Sequence, residues 1–191
     1  MGELLMESTF VSIDLETTGI NMEKSHIIEI ACVRVEGGVI TESFSTLVYP
    51  GEFIPERIKK LTGITNAMLV GKPSFEEVLP RFLRFIGNSV IVGHNVKRDI
   101  GFIDKYHRTV YGKPFKHPHV CTLELARKLL PGLKSYRLYD LANYFGIEHS
   151  KEHRALSDAQ TTALVFLKLL NILWSNFRIG SYLEVKRFSK A

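Results

Sequence analysis

Apolar and polar positions alternate through FVSIDLETTG, residues 10–19. With the period of two that a strand imposes, Val11, Ile13 and Leu15 share one face, while Asp14 and Glu16 share the other. IIEIACVRVEGG, from residue 27, is a second strand running into a Gly37-Gly38 turn, and VITESFSTLVY, 39–49, is a third. The short turn between the last two predicts an antiparallel hairpin. After Pro50 the period lengthens. SFEEVLPRFLRFIG opens with Ser74 and Glu77 at capping-box spacing and sets Phe75, Val78, Leu79, Phe82, Leu83 and Ile86 on one helical face. Pro80 within it predicts a kink or a delayed start. SVIVGHN reads as a strand, DIGFIDKYHRTVYG as a helix ending near Gly112, HVCT as a short strand, and LELARKLL as a helix closed by Pro131-Gly132. LYDLANYFG is a helix with Gly146 at its end. A last helix opens at SDAQ, where Ser157 and Gln160 have capping-box spacing, and EVKRFSKA reads as a loose tail.

Three strands followed by alternating helix and strand predict an α/β domain, a mixed five-stranded sheet covered by helices on both faces. No linker, repeat or low-complexity segment divides residues 1–191, so a single domain is expected. Its length allows a core without disulfide or metal staples. The most apolar stretch, ALVFLKLLNILW at 163–174, contains Lys168 and Asn171. It is shorter than the roughly 20 residues needed to span a bilayer, and reads as a buried helix. No positively charged leader precedes an apolar run at the N-terminus. Cys32 and Cys121 are therefore expected as reduced, buried thiols in the cytoplasm, and no paired-cysteine spacing suggests structural zinc.

The formal charge is +5, from 25 Lys and Arg against 20 Asp and Glu. The distribution says more than the sum, because ten of the cations lie between Lys97 and Arg137 alongside only Asp99, Asp104 and Glu124. Such a concentration is the footprint expected of a protein that handles polyanions.

Two acids side by side on an apolar strand need compensation, since burial and like charge both disfavour the ionised form. Asp99, after a strand and at the entry to a helix, and Asp158, in the first turn of the last helix, break the pattern in the same way. Four carboxylates without matching buried cations point to divalent metal, and all-oxygen donors suit hard ions such as Mg²⁺ or Mn²⁺. Two such ions neutralise the four acids and can clamp a phosphate for in-line displacement. His153, expected on a loop before the last helix, is placed to take a proton from the attacking water.

These residues stand in motifs that resemble the DnaQ-like 3′→5′ exonucleases, the histidine branch of the DEDD superfamily, which includes the proofreading epsilon subunit of bacterial DNA polymerase III. IDLETTG resembles the first motif, GHNVKRD the second and HRALSDA the third, and KLTGIT, KPSFEEV, CTLELAR and YRLYDLANYFGI fall between them in family order. The resemblance covers about residues 9–175 and implies a ribonuclease H-like fold. It implies Asp14, Glu16, Asp99 and Asp158 as ligands of two divalent ions, Mg or Mn, and His153 as the general base. It places Thr17 and Thr18 in the turn that approaches the terminal nucleotide, and Leu61 and Asn95 among the positions that line the substrate pocket. One departure stands out: Arg98 occupies the position before the second-motif aspartate, where the family commonly carries an aromatic.

The activity so implied is removal of nucleoside 5′-monophosphates from single-stranded or frayed 3′ ends, with DNA favoured and proofreading or repair as the setting. The partners implied are nucleic acid and a DNA polymerase subunit, with no membrane. RNA 3′-end trimming, a non-catalytic nucleic-acid-binding module and a hydrolase of free nucleotides remain open at this level. Clustered negative charge speaks against the binding module, and the basic segment speaks for a polymer substrate.

Overall fold

The computed structural model describes residues 8–150 and 153–190. Five strands, β1 (Phe10–Thr17), β2 (Ile27–Glu36), β3 (Val39–Leu47), β4 (Val90–Gly93) and β5 (His119–Cys121), form one sheet in the order β3-β2-β1-β4-β5. The first three are antiparallel neighbours, whereas β4 and β5 continue the sheet in parallel with β1. The hairpin turn is made by Gly37 and Gly38 at φ 56° and 81°. Two successive positive φ values give the turn whose twist matches that of the flanking strands.

Among the described residues eight helices accompany this sheet: α1 (Glu56–Thr62), α2 (Asn66–Leu69), α3 (Phe75–Ile86), α4 (Lys97–Tyr111), α5 (Thr122–Leu129), α6 (Leu138–Tyr144), α7 (Ala155–Phe177) and α8 (Tyr182–Lys190). The alternation in β1 sorts its side chains between two cores. Phe10 meets Phe166 of α7 edge-on, with ring centroids 4.8 Å apart, in a core shared with Ala31, Val33, Val35 and Leu125. Val11 and Ile13 pack on the opposite face with Val78, Leu79 and Phe82 of α3 and Phe102 and Ile103 of α4. Both faces of β2 are covered, which is why its sequence reads as a nearly unbroken apolar run. Cys32 and Cys121 are free, buried thiols in the second of these cores.

Four sequence expectations change. The helix carrying Pro80 starts where Ser74 caps it: its hydroxyl accepts from the Glu77 N–H, and Glu77 returns a bond to the Ser74 N–H at 2.7 Å. Pro80 is exposed within one uninterrupted helix. The last long helix begins at Ala155, two residues before the expected cap, and Ser157 lies inside it. Two short helices, α1 and α2, occupy a stretch to which the periodicity assigned no element. Finally, EVKRFSKA is no loose tail: up to Lys190 it belongs to α8, and only Ala191 falls outside the described residues. Glu184 accepts bonds from the Gly180 and Ser181 N–H groups and the Ser181 hydroxyl, fixing the start of α8. Val185 is 0% exposed and joins the α7 core, and Lys128 donates to the Phe188 carbonyl at 2.7 Å.

Among the described residues, no helix is long and apolar enough to cross a membrane.

The placement of α8 makes a stability prediction. Val185→Asp buries a charge against α7 and is expected to cost about 2–4 kcal/mol, read from urea unfolding; a neutral substitution contradicts the docked helix.

Candidate active site

The site begins where β1 ends. Its pleat turns Asp14 and Glu16 toward the α7 side of the sheet, while Thr17 and the following turn carry the chain over the top. That turn is tied down from two directions. Thr17 donates to the Gly19 carbonyl at 2.7 Å, and the Thr18 hydroxyl accepts from the His26 N–H at 2.9 Å. Lys105 of α4 donates to the carbonyls of Glu23 and Ser25, and His26 shares a bond with Tyr106. Gly19 is closely packed in this turn: a Cβ there would lie 2.7 Å from Ser25 Oγ, and that hydroxyl would have to turn away.

The second motif leaves β4 through Asn95, whose φ of 64° lets the chain reverse into α4. Asparagine tolerates this left-handed conformation better than most residues. Asp99 then falls in the first turn of α4, 8% exposed.

The third motif is positioned by a residue the sequence reading passed over. Glu29 of β2 stands opposite Glu16 in the β1–β2 register and is 2% exposed. Its carboxylate accepts two bonds from Arg154, at 2.8 and 3.2 Å, and one from the Ala155 N–H at 3.0 Å. No side chain of α7's own caps the helix. Glu29 does so from across the sheet, which explains why α7 starts two residues early. His153, at the preceding loop position, and Asp158, in the first turn, are thereby hung from the sheet. The available signal was a lone carboxylate inside IIEIACV, the same anomaly that marked Asp14.

Asp14, Glu16, Thr17, Leu61, His153 and Asp158 line one cavity of about 500 Å³, together with Ile20, Arg57, Ile58 and Arg98. Asn95 lines a neighbouring cavity of about 760 Å³ that shares His153 and Asp158. Asp99 lies buried at the start of α4, and its charge is the largest influence on Asp14 after burial. Thr18 is buried, with its hydroxyl committed to His26 and Glu52. Arg57 and Arg98 are the cations of the smaller cavity, and the first of these was missed because α1 was.

Burial is the first cause of every carboxylate shift here. It pushes Asp14 well above the ordinary range, with Asp99, Glu16, Asp158 and Glu29 adding like charge. Glu16 is raised to about 7 by burial, then Asp158 and Glu29, against the opposing pull of Arg98 and Arg154. Asp99 is raised to about 8 by burial, opposed by Arg98 and its own backbone N–H, with Glu16 adding to the rise. Burial also raises Asp158, against the favourable charges of His153 and His149. Donor atoms of Glu16, His153 and Asp158 all lie within 4.8 Å of one another. This is a set of hard oxygen donors, one imidazole and surplus negative charge, and it fits divalent cations.

A family model described as "Exonuclease" matches residues 11–166. The chain belongs to the exonuclease family. Members of that family generally use divalent metals, in keeping with the donor set. The exonuclease is 59% identical over 190 residues to the DNA polymerase III subunit epsilon of Aquifex aeolicus, covering 100% of this chain and 94% of that protein. It is 45% identical to the PolC-type DNA polymerase III of Clostridium perfringens over 82% of this chain, but spans only 11% of that much longer protein. Among solved structures, exonuclease X in complex with 5′ overhanging duplex DNA superimposes with a TM-score of 0.69 at 31% identity, covering 85% of this chain and 91% of that one. Exonuclease I of E. coli, in complex with a dT13 oligonucleotide, shares the fold with a TM-score of 0.77 at 21% identity, over 90% of this chain and 43% of that one. The α/β architecture expected from the sequence is thus that of known exonucleases.

Two predictions follow from the geometry of this exonuclease. Glu29→Ala leaves Arg154 without its carboxylate and the Ala155 N–H without its acceptor. Because Arg154 is partly exposed, the expected loss is about 2 kcal/mol, with turnover lower by roughly tenfold to a hundredfold as His153 and Asp158 shift. Urea unfolding and steady-state kinetics read the two effects, and an unaltered kcat rules out the positioning role.

The second concerns pH. Groups whose folded pKa is raised contribute stability below their unfolded pKa and lose it as pH rises through the folded value. With Glu16 at about 7 and Asp99 at about 8, metal-free protein is expected to lose thermal stability from about pH 4 to 8. Added Mg²⁺ or Mn²⁺ should remove that loss, and melting curves in chelator that stay level across the range contradict the repulsive cluster.

Proposed function

We propose that this enzyme removes nucleotides one at a time from the 3′ end of single-stranded or frayed DNA, in proofreading or repair, releasing nucleoside 5′-monophosphates. The observation that carries the reading is the pair of adjoining cavities. One gathers the carboxylates and His153. The other shares His153 and Asp158 with it and is lined by Arg127, Lys134 and Arg137 beside Tyr136 and Tyr139. Cations interleaved with aromatic rings suit a strand whose phosphates need charge and whose bases need stacking partners. This draws on three cations of the basic segment noted in the sequence.

Asp14, Glu16, Asp99 and Asp158 are assigned as the groups that hold two divalent ions, Mg or Mn. When bound, these ions supply the positive charge that stabilises both the attacking and the leaving oxygens. His153 is half exposed, with Nδ1 3.9 Å from an Asp158 carboxylate oxygen. That leaves it accessible to water, with an acid near enough to draw in as the imidazole takes up a proton, as a general base needs. Thr17 and Leu61 flank the place of the terminal nucleotide, and Asn95 that of the nucleotide before it. Thr18 acts on the substrate by holding the turn in shape, since its hydroxyl is already bonded.

The likeness to an epsilon subunit over nearly the full length of both proteins supports association with a DNA polymerase and a cytoplasmic setting. The DNA in the exonuclease X structure, a relative above 30% identity, supports DNA as substrate.

The test is a competition time course with 5′-labelled single-stranded DNA and RNA of one sequence in Mg²⁺. DNA is expected to shorten from its 3′ end with RNA spared, and Asp14→Asn to abolish the reaction. His153→Ala should lower kcat by at least about 10²-fold with little change in strand affinity measured in chelator. Failure to degrade either polymer in Mg²⁺ or Mn²⁺ overturns the reading, and preferential loss of RNA moves the enzyme to RNA processing.

A further inference from the structure

Arg98 and Arg57 are not absorbed by the function above. Both line the smaller cavity with Asp14, Glu16 and Asp158, and both approach Gly19. Arg98 Nη2 lies 3.4 Å from the Gly19 carbonyl and 3.3 Å from Thr17 Oγ1. Arg57 Nη2 lies 3.5 Å from the point a Cβ on Gly19 would occupy. Among the described residues neither guanidinium makes an ion pair within 4.0 Å, although the cavity is rich in carboxylates. Arg98 spends one nitrogen on two long bonds to neutral oxygens, and a guanidinium offers five N–H donors in a fork that matches phosphate.

Arg57 and Arg98 therefore stand together by the turn after β1, without an ion pair to the acids that line the same cavity, whose apolar lining includes Leu61, Ile58 and Ile20. A terminal nucleotide with a free 3′-hydroxyl brings only one phosphate into this space, the scissile one, and that phosphate belongs over the carboxylates and their cations. Apart from that phosphate, such a nucleotide offers the two guanidiniums only neutral acceptors, whereas their charge is matched by an anion.

We propose that Arg57 and Arg98 form a subsite for a phosphate esterified to the terminal 3′ oxygen, so that the enzyme also trims 3′-phosphorylated DNA ends. The inference rests on the exonuclease reading. The chemistry needs no added reactant. The oxygen of water bonds to the scissile phosphorus, and the bond from that phosphorus to the 3′ oxygen of the preceding nucleotide breaks. The protons of water end on that leaving oxygen and in solvent. The terminal phosphate ester stays intact, so the product is a nucleoside 3′,5′-bisphosphate, and the shortened strand ends in an ordinary 3′-hydroxyl.

The experiment compares two fluorescein-labelled oligodeoxynucleotides of one sequence, one ending in a 3′-phosphate and the other in a 3′-hydroxyl. Anisotropy in chelator measures binding without turnover. The wild type should bind the 3′-phosphate strand at least as tightly as the other. In Arg98→Phe and in Arg57→Leu the ratio of the two affinities should fall roughly tenfold or more, with partial recovery in Arg98→Lys. In Mg²⁺, mass spectrometry of the first product should show the bisphosphate. A wild type that degrades the hydroxyl strand but refuses the phosphate strand overturns the proposal, as does an affinity ratio that neither substitution alters. If neither strand is cut while the ratio still depends on both arginines, the anion subsite stands and the exonuclease reading falls.

Discussion

Asp14, Glu16, Asp99 and Asp158 are held near one another by a central strand and two helix entries, and burial, with like charge from neighbouring acids including Glu29, raises each above the ordinary carboxylate range. No rotation of the elements relieves this. β1 is paired on both sides, by β2 antiparallel and β4 parallel, so its pleat dictates where two of the acids point. α4 and α7 are packed against opposite faces of the same sheet and bring one acid each. The rigidity that makes the cluster costly without cations also makes it preorganised for them, since donors already in place need little rearrangement when charge arrives.

Glu29 shows how closely scaffold and site are joined. It is one strand away from Glu16 and contributes to that residue's raised pKa, yet its own bonds run to Arg154 and to the first amide of α7. One carboxylate thus fixes the helix that carries Asp158, caps it, and brings a guanidinium close enough to moderate Glu16. The charge balance of the cavity is completed by Arg98, which lowers both Glu16 and Asp99 without an ion pair to either.

Much of this was legible in the chain because the relevant signals are local. The period of two in FVSIDLE placed Asp14 and Glu16 on one face, and the Ser74–Glu77 box located the start of α3 despite Pro80. Other elements escaped for equally local reasons. α1 and α2 are too short to show a helical period, and both follow Pro55 or Thr65 in a stretch otherwise rich in turn residues. α8 did carry a signal, since Ser181 and Glu184 have capping-box spacing, but its charged residues outweighed its narrow apolar stripe. The start of α7 was misjudged because Ser157 and Gln160 have the right spacing, while the true cap comes from a residue 126 positions away.

Periodicity and motif spacing, which are properties of neighbouring residues, mark the candidate acids, the succession of the five strands and five of the helices, and the sidedness of β1. Tertiary structure alone decided that Glu29 holds the third motif, that Thr18 is spent inside its turn, and that Arg57 and Arg98 converge on Gly19. It also decided how far each carboxylate is shifted, since burial and Coulomb repulsion depend on distances through space that no spacing along the chain records.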